Sequence, residues 1–285
     1  MAGPNVPVFL DRLTDAADYA VIGPVDGRRK VLNTRQPPFA AICHLERDFG
    51  DGRWVGCTGF LISPRMILTA GHCVYSPLRR ITGRQASPLR IRVSAGRAGQ
   101  TRPFGAIAGE RWWAHRRYVR SASRPFDIGL IRLSQPVTGP EPLRLHAPTC
   151  AELGRIRQSR LLHISGYPGD KRRGTQWTHE ERLDRFTQRD LFYSVDTCPG
   201  HSGAPVWVER WRGGRRIVVG VHTAGPRPHP NGPWGCRAGV PMAPQGHVNR
   251  GVRMTPDLLA AVQLLAAGAQ SPLFVTVGRH VDKSR

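Results

Sequence analysis

Three short segments carry the side chains that nucleophilic catalysis requires. Thr69-Ala-Gly-His72-Cys73 supplies an imidazole directly after an apolar run. Phe126-Asp127-Ile-Gly-Leu-Ile-Arg-Leu133 sets a carboxylate at the mouth of a second one. Thr197-Cys-Pro-Gly200-His-Ser202-Gly-Ala-Pro205 sets a hydroxyl among glycines, so that the chain order is His, Asp, Ser. A serine hydroxyl is a weak nucleophile until a neighbouring imidazole takes its proton. Histidine can do this near neutrality and can later return the proton to the leaving group. A buried carboxylate fixes the imidazole tautomer and stabilises the imidazolium. Glycines around the serine let the N–H groups of Gly200 and Ser202 converge, and such oxyanion donors are worth roughly 2.7–4 kcal/mol each. Each motif alone also reads as ordinary structure: a core histidine, a strand-start aspartate, a turn serine. Their joint order and flanks favour catalysis by His72, Asp127 and Ser202.

The elements that must position these residues are strands. Leu89-Arg-Ile-Arg-Val93 alternates apolar and cationic residues, as a half-buried strand does. Runs 54–62, 65–69, 128–133, 161–165, 191–195, 205–209 and 216–222 also read as strands, with Gly213-Gly214 as a hairpin turn between the last two. This spacing predicts an all-β barrel or sandwich rather than βαβ units. One helix is expected after Thr255-Pro256-Asp257, which offers a cap, a proline for the first turn and an acid near the helix start. Its apolar stripe of Leu258, Leu259, Val262, Leu265 and Ala266 stops at Gly268, and residues 269–285 read as a tail. The Pro-rich stretch 136–149 is the expected linker between two β halves.

The 285 residues include 32 Gly and 25 Pro, below the range of low-complexity disorder, and 40% hydrophobic residues, enough for a large core. Collagen, coiled coil and wholesale disorder are excluded. No run reaches the ~18–20 apolar residues of a membrane span. The first twenty residues contain Asp11, Asp15 and Asp18 and no signal-peptide core, so the sequence reads as soluble, without an export address. There are 42 Lys and Arg against 20 Asp and Glu, a formal charge of +22, and only three of the cations are Lys.

On the triad motifs, the sequence resembles the chymotrypsin-like serine peptidases, and more closely their bacterial glutamyl endopeptidase branch. Gly166-Tyr-Pro-Gly-Asp170, Tyr193-Ser-Val-Asp-Thr197, Gly220-Val-His-Thr-Ala-Gly225 and Asn249-Arg-Gly-Val-Arg-Met254 resemble family segments, and the match runs from about Val21 to Leu265. The resemblance implies two six-stranded antiparallel β-barrels with a C-terminal α-helix and the triad in the cleft between the barrels. Residues 21–140 would form the first barrel, with His72 and Asp127. Residues 150–268 would form the second, with Ser202 and the helix. It further implies a serine endopeptidase that acts on protein or peptide substrates through an acyl-enzyme; no cofactor is expected, and the chain is expected to be a monomer.

His201 departs from the vertebrate digestive relatives, which carry an aspartate there to receive the freed N-terminus; trypsinogen-style activation is therefore not expected. In the bacterial branch the mature chain begins near a Val-Ile pair, here Val21-Ile22. Residues 1–20 would then be a pro-segment removed after Ala20, the alternative being an ordinary N-terminal arm. The family's primary pocket uses a histidine and a Thr or Ser toward a substrate carboxylate, which by position are His222 and Thr197, with the Val21 α-amino group adding charge. Asp196 competes with this reading, because trypsin-like enzymes keep their Arg/Lys-binding acid six residues before the serine. Glu (or Asp) before the scissile bond is the favoured specificity, Arg or Lys the alternative.

Six cysteines allow 15 pairings. The resemblance implies Cys57–Cys73 and Cys198–Cys236, which leaves Cys43 with Cys150. Three bridges would place the protein in an oxidising, extracellular or periplasmic compartment. With no C-x-x-C and no H-E-x-x-H, no metal site is expected. A second class is an inactive protease scaffold that binds an acidic polyanion. Its strongest feature is Arg111-Trp-Trp-Ala-His-Arg-Arg-Tyr118-Val-Arg120, which interleaves cations with aromatics, although no nucleic-acid module accompanies it.

Overall fold

The computed structural model describes residues 19–280. After a two-residue strand β1 (Arg29–Lys30), the chain builds β2 (Ile42–Asp48), β3 (Trp54–Ser63), β4 (Met66–Thr69), β5 (Arg90–Ala95), β6 (Ile107–His115) and β7 (Gly129–Leu133). Short helices α1 (Pro77–Ile81) and α2 (Arg116–Ser121) interrupt this run. Its strands pair in the order β6-β5-β2-β3-β4-β7, and β6 pairs again with β7 to close the ring. A connection holding α3 (Cys150–Ser159) leads to β8 (Leu161–Gly166), β9 (Trp177–Phe186), β10 (Asp190–Tyr193), β11 (Pro205–Trp211), β12 (Arg215–Ala224) and β13 (Asn249–Arg253). These pair as β9-β10-β13-β12-β11-β8 and close through β8–β9. The pairings are antiparallel, and the architecture is two closed six-stranded barrels. Closure leaves neither ring with an open edge.

The terminal helix α4 (Pro256–Ala266) forms where expected, and its buried face is Leu258, Ala261, Val262 and Leu265. Thr255 does not cap it: the hydroxyl bonds the Asp257 carboxylate instead of a backbone N–H. The expected tail is corrected. Residues 274–279 form β14 (Phe274–Arg279), which pairs with β6 and extends the first barrel's sheet. Phe274 is buried in the core that also takes in α4, so the C-terminal stretch carries the chain back onto the first barrel. The aromatic-cationic run 111–120 is strand β6 followed by α2. Trp112 and Tyr118 are buried, Trp112 donating to Ser87 Oγ at 2.8 Å, so they offer no stacking platform for bases.

Two disulfides form, Cys57–Cys73 and Cys198–Cys236. The third expected pair does not. Cys43 is a free thiol in the first barrel's core, and Cys150 is a free, exposed thiol in the first turn of α3. A core position and a surface helix turn give these two sulfurs no shared site. Among the described residues, no helix is long and apolar enough to cross a membrane.

Candidate active site

β4 and β7 are neighbours in the first barrel, with Thr69 opposite Gly129, so the segments that adjoin these two residues lie side by side. His72 sits in a tight 3-10 turn, Gly71–Cys73, just past β4, and Asp127 lies just ahead of β7. Both are buried. The carboxylate grips the histidine twice: the His72 backbone N–H donates to Oδ1 at 2.8 Å, and Nδ1 lies 2.7 Å from Oδ2. With the Nδ1 proton held toward Asp127, the lone pair of a neutral imidazole is on Nε2, where a general base needs it. The Cys57–Cys73 bridge ties this turn to β3.

Ser202 comes from the second barrel, in the loop between β10 and β11. The loop is pinned across the cleft by Thr58 of β3, whose N–H donates to Ser202 O at 2.9 Å and whose hydroxyl donates to Gly200 O at 2.7 Å. Two glycines make the loop possible. Gly200 has φ +106° and a Cβ there would lie 2.4 Å from Tyr167 O; Gly203 has φ +84° and a Cβ there would lie 2.2 Å from Thr58 O. Neither position accepts a side chain without displacing backbone. The N–H groups of Gly200 and Ser202 have no hydrogen-bond acceptor among the described residues. His201 is buried, and desolvation followed by the charge of Arg28 keeps its imidazole well below its ordinary range. Its Nδ1 accepts the Cys198 N–H at 3.1 Å, so this residue braces the loop.

Ser202 does not meet the imidazole directly. Ser202 Oγ lies 2.5 Å from the Tyr19 hydroxyl, which is also 3.4 Å from His72 Nε2 and donates to Thr223 O at 2.8 Å. Among the described residues, no direct hydrogen bond joins His72 Nε2 to Ser202 Oγ. Tyr19 is buried, its ring edge-on to His222 at 5.3 Å between centroids. The segment behind it is held along its backbone. Ala20 O accepts from Thr197 N at 3.0 Å, Asn249 brackets Ala20 with Nδ2 on its carbonyl at 2.8 Å and Oδ1 on its N–H at 3.1 Å, and Val21 N donates to Trp234 O at 3.0 Å. Of the expected pro-segment, residues 1–18 lie outside the described residues.

The Tyr19-Ala20 dipeptide therefore touches Thr197, His222 and Thr223. Thr197 Oγ1, His222 Nε2 and Thr223 Oγ1 are all buried and without a hydrogen-bond partner. Buried polar atoms are rarely left this way, and all three belong to residues that adjoin Tyr19 and Ala20. Burial, then the nearby His72, hold the His222 imidazole down at about 3, so it is neutral at physiological pH. Asp196 has turned away. Its Oδ1 accepts the Ile22 N–H at 2.7 Å and its Oδ2 the Gly27 N–H at 2.8 Å, and burial raises its carboxyl. A carboxylate with both oxygens engaged by backbone is poorly placed to receive a guanidinium.

The fold thus brings the sequence candidates His72 and Asp127 into contact and sets Ser202, Thr197 and His222 around Tyr19 and Ala20, beside Thr58, Tyr193, Thr223 and Asn249, which the sequence did not single out. Thr223, Tyr193 and Asn249 lie in segments quoted for the family resemblance, but no spacing marks them. The His, Cys and acid side chains that crowd together among the described residues are Cys57, His72 and Cys73, where the disulfide leaves no thiolate for a metal.

Comparisons with known proteins agree with this geometry. The chain is 32% identical over 242 residues to a glutamyl endopeptidase of Bacillus licheniformis, covering 84% of this chain and 66% of that protein. It is 27% identical over 208 residues to an extracellular metalloprotease of Bacillus subtilis, covering 72% and 63%. The chain thus spans just under two thirds of the length of these curated relatives. A solved structure of a Glu endopeptidase in complex with MPD superposes with a TM-score of 0.67 at 26% identity, over 87% of this chain and 99% of that one. The family model described as Trypsin matches residues 33–241, and with that match over most of its length the chain belongs to the trypsin family.

Proposed function

We propose that this chain is a serine endopeptidase that cuts after glutamate, or less readily aspartate. Ser202 Oγ attacks the scissile carbonyl carbon while its proton passes to His72 Nε2, and Asp127 stabilises the imidazolium. The N–H groups of Gly200 and Ser202 receive the oxyanion. Collapse expels the amine, which takes the proton from His72, and water then releases the acyl group by the same steps in reverse. The observation that carries the specificity is the contrast within the pocket: three buried polar atoms stand unpaired, while the one acid, Asp196, is consumed by the Ile22 and Gly27 amides. The neutral donors need a positive charge to hold a carboxylate, and the α-ammonium of Val21, freed by a cut after Ala20, would supply it one residue from the pocket.

The same cut would remove Tyr19 from Ser202, so the uncut chain is latent. The two disulfides, and relatives of which one is named extracellular, support action in an oxidising, extracellular compartment. A fluorophosphonate probe tests the reaction. It should label the chain that starts at Val21, label the uncut chain far more slowly, and fail on Ser202→Ala. Absence of labelling of the chain starting at Val21, or equal labelling of Ser202→Ala, would overturn the assignment.

A further inference from the structure

A neutral imidazole can face a ligand with a proton or with a lone pair, and only the proton suits a carboxylate. Which of the two His222 presents depends on its other nitrogen. His222 Nδ1 lies 2.8 Å from the Tyr193 hydroxyl, both side chains are fully buried, and the rings stand 5.9 Å apart at 46°. From this geometry we infer that Tyr193 fixes His222 in the tautomer with its proton on Nε2, and is therefore the positioning residue that makes the pocket a carboxylate site. The inference rests on the glutamate reading of the pocket and names the residue behind it.

Hydrogen-bond accounting selects the direction. Burial pushes the Tyr193 phenol well above its ordinary range, so it keeps its proton. Among the described residues, His222 Nδ1 is the only hydrogen-bond partner of that hydroxyl. If Tyr193 donates to Nδ1, the site is left with one unmet group, the Nε2–H aimed at the pocket. If Nδ1–H donated instead, to Tyr193 or toward the Arg250 backbone that also acts on the ring, the phenol proton would have no acceptor and the Nε2 lone pair no donor. Two buried orphans cost more than one. The first arrangement also turns its single orphan into a donor for the substrate.

The fold builds the contact deliberately. Tyr193 lies on β10 and His222 on β12, and β13 runs between them. Gly251 of β13 is the residue opposite His222, and a Cβ there would come within 2.8 Å of the Tyr193 hydroxyl oxygen. A side chain at 251 would crowd the phenol, so the missing one leaves room for Tyr193 to reach across a strand.

Two measurements test this. On the full-length chain at pH 7, 15N NMR of the histidine ring should show His222 protonated at Nε2 and bare at Nδ1; the opposite pattern overturns the inference. In the active enzyme, Tyr193→Phe should raise KM about tenfold for peptides with Glu before the scissile bond while leaving kcat close to wild type. For peptides with Ala or Leu at that position it should change neither constant. An unchanged KM for the Glu peptides, or equal losses on all three, would overturn the role. Failure of the wild type to prefer Glu would instead overturn the pocket reading, and the NMR result would still decide what Tyr193 does.

Discussion

At the scale of single residues, Asp196 is where two specificities part. Six residues before the serine, an acid reads as an arginine receptor. In the folded chain its oxygens are 2.7 and 2.8 Å from the amides of Ile22 and Gly27, so its work is to hold the segment that leads into the site. Asp196→Asn should therefore leave the preference for Glu in place and lower stability by about 1–3 kcal/mol, as weaker or mismatched partners replace two charge-assisted bonds. Denaturant melts and a peptide digest of the variant check both halves; a switch away from Glu would contradict the account. His72, Asp127 and Ser202 stand out in the sequence because they sit in local motifs, each with its own flanking glycines and apolar run. Tyr19 and Asn249 were not legible. Their partners lie 183 and 229 positions away in the chain, at Ser202 and Ala20, and no local pattern encodes such a distance.

At the scale of elements, legibility followed apolar patterning rather than burial. β5, β7, β8 and β12 were read from the sequence because alternating or apolar runs expose their pattern. β2 was missed although every residue of Ile42–Asp48 is buried. Its His44, Glu46, Arg47 and Asp48 look like surface to a hydropathy reading; in the fold Glu46 lies 3.2 Å from Arg97 and 2.7 Å from Arg173, and Asp48 bonds Arg90 at 3.0 Å. β14 was missed because a short run after a glycine-terminated helix reads as an end, while its pairing partner β6 lies far back in the chain. Phe274 gives that strand its anchor in the first barrel's core. Phe274→Ala should cost about 3–5 kcal/mol of unfolding free energy, measured by denaturant titration. A loss below 1 kcal/mol would mean that β14 is a dispensable edge.

At the scale of the whole molecule, charge and proton uptake set the working conditions. Burial holds His44 down at about 3, with Arg97 adding to the effect, and holds His222 at about 3 as well. Above the ordinary histidine range, about 6.5, neither the folded nor the unfolded chain protonates them and stability is flat with respect to these groups. Below it the unfolded chain takes protons that the folded chain refuses, so stability should fall by about 1.4 kcal/mol per pH unit for each histidine down toward pH 3. Asp196, raised by burial, opposes this at the acid end. Urea melts from pH 8 to pH 4 should show a plateau and then a decline that begins near pH 6.5; a stability constant to pH 4.5 would contradict the buried neutral histidines. On the proposed function, the net charge of +22 would favour approach of acidic chains and leave the choice of bond to the pocket. The most direct test is a digest of a defined peptide library by the chain that begins at Val21, with Ser202→Ala as control. The account predicts cleavage chiefly after Glu, absent from the control. Cleavage chiefly after Arg or Lys, or cleavage that survives Ser202→Ala, would contradict it.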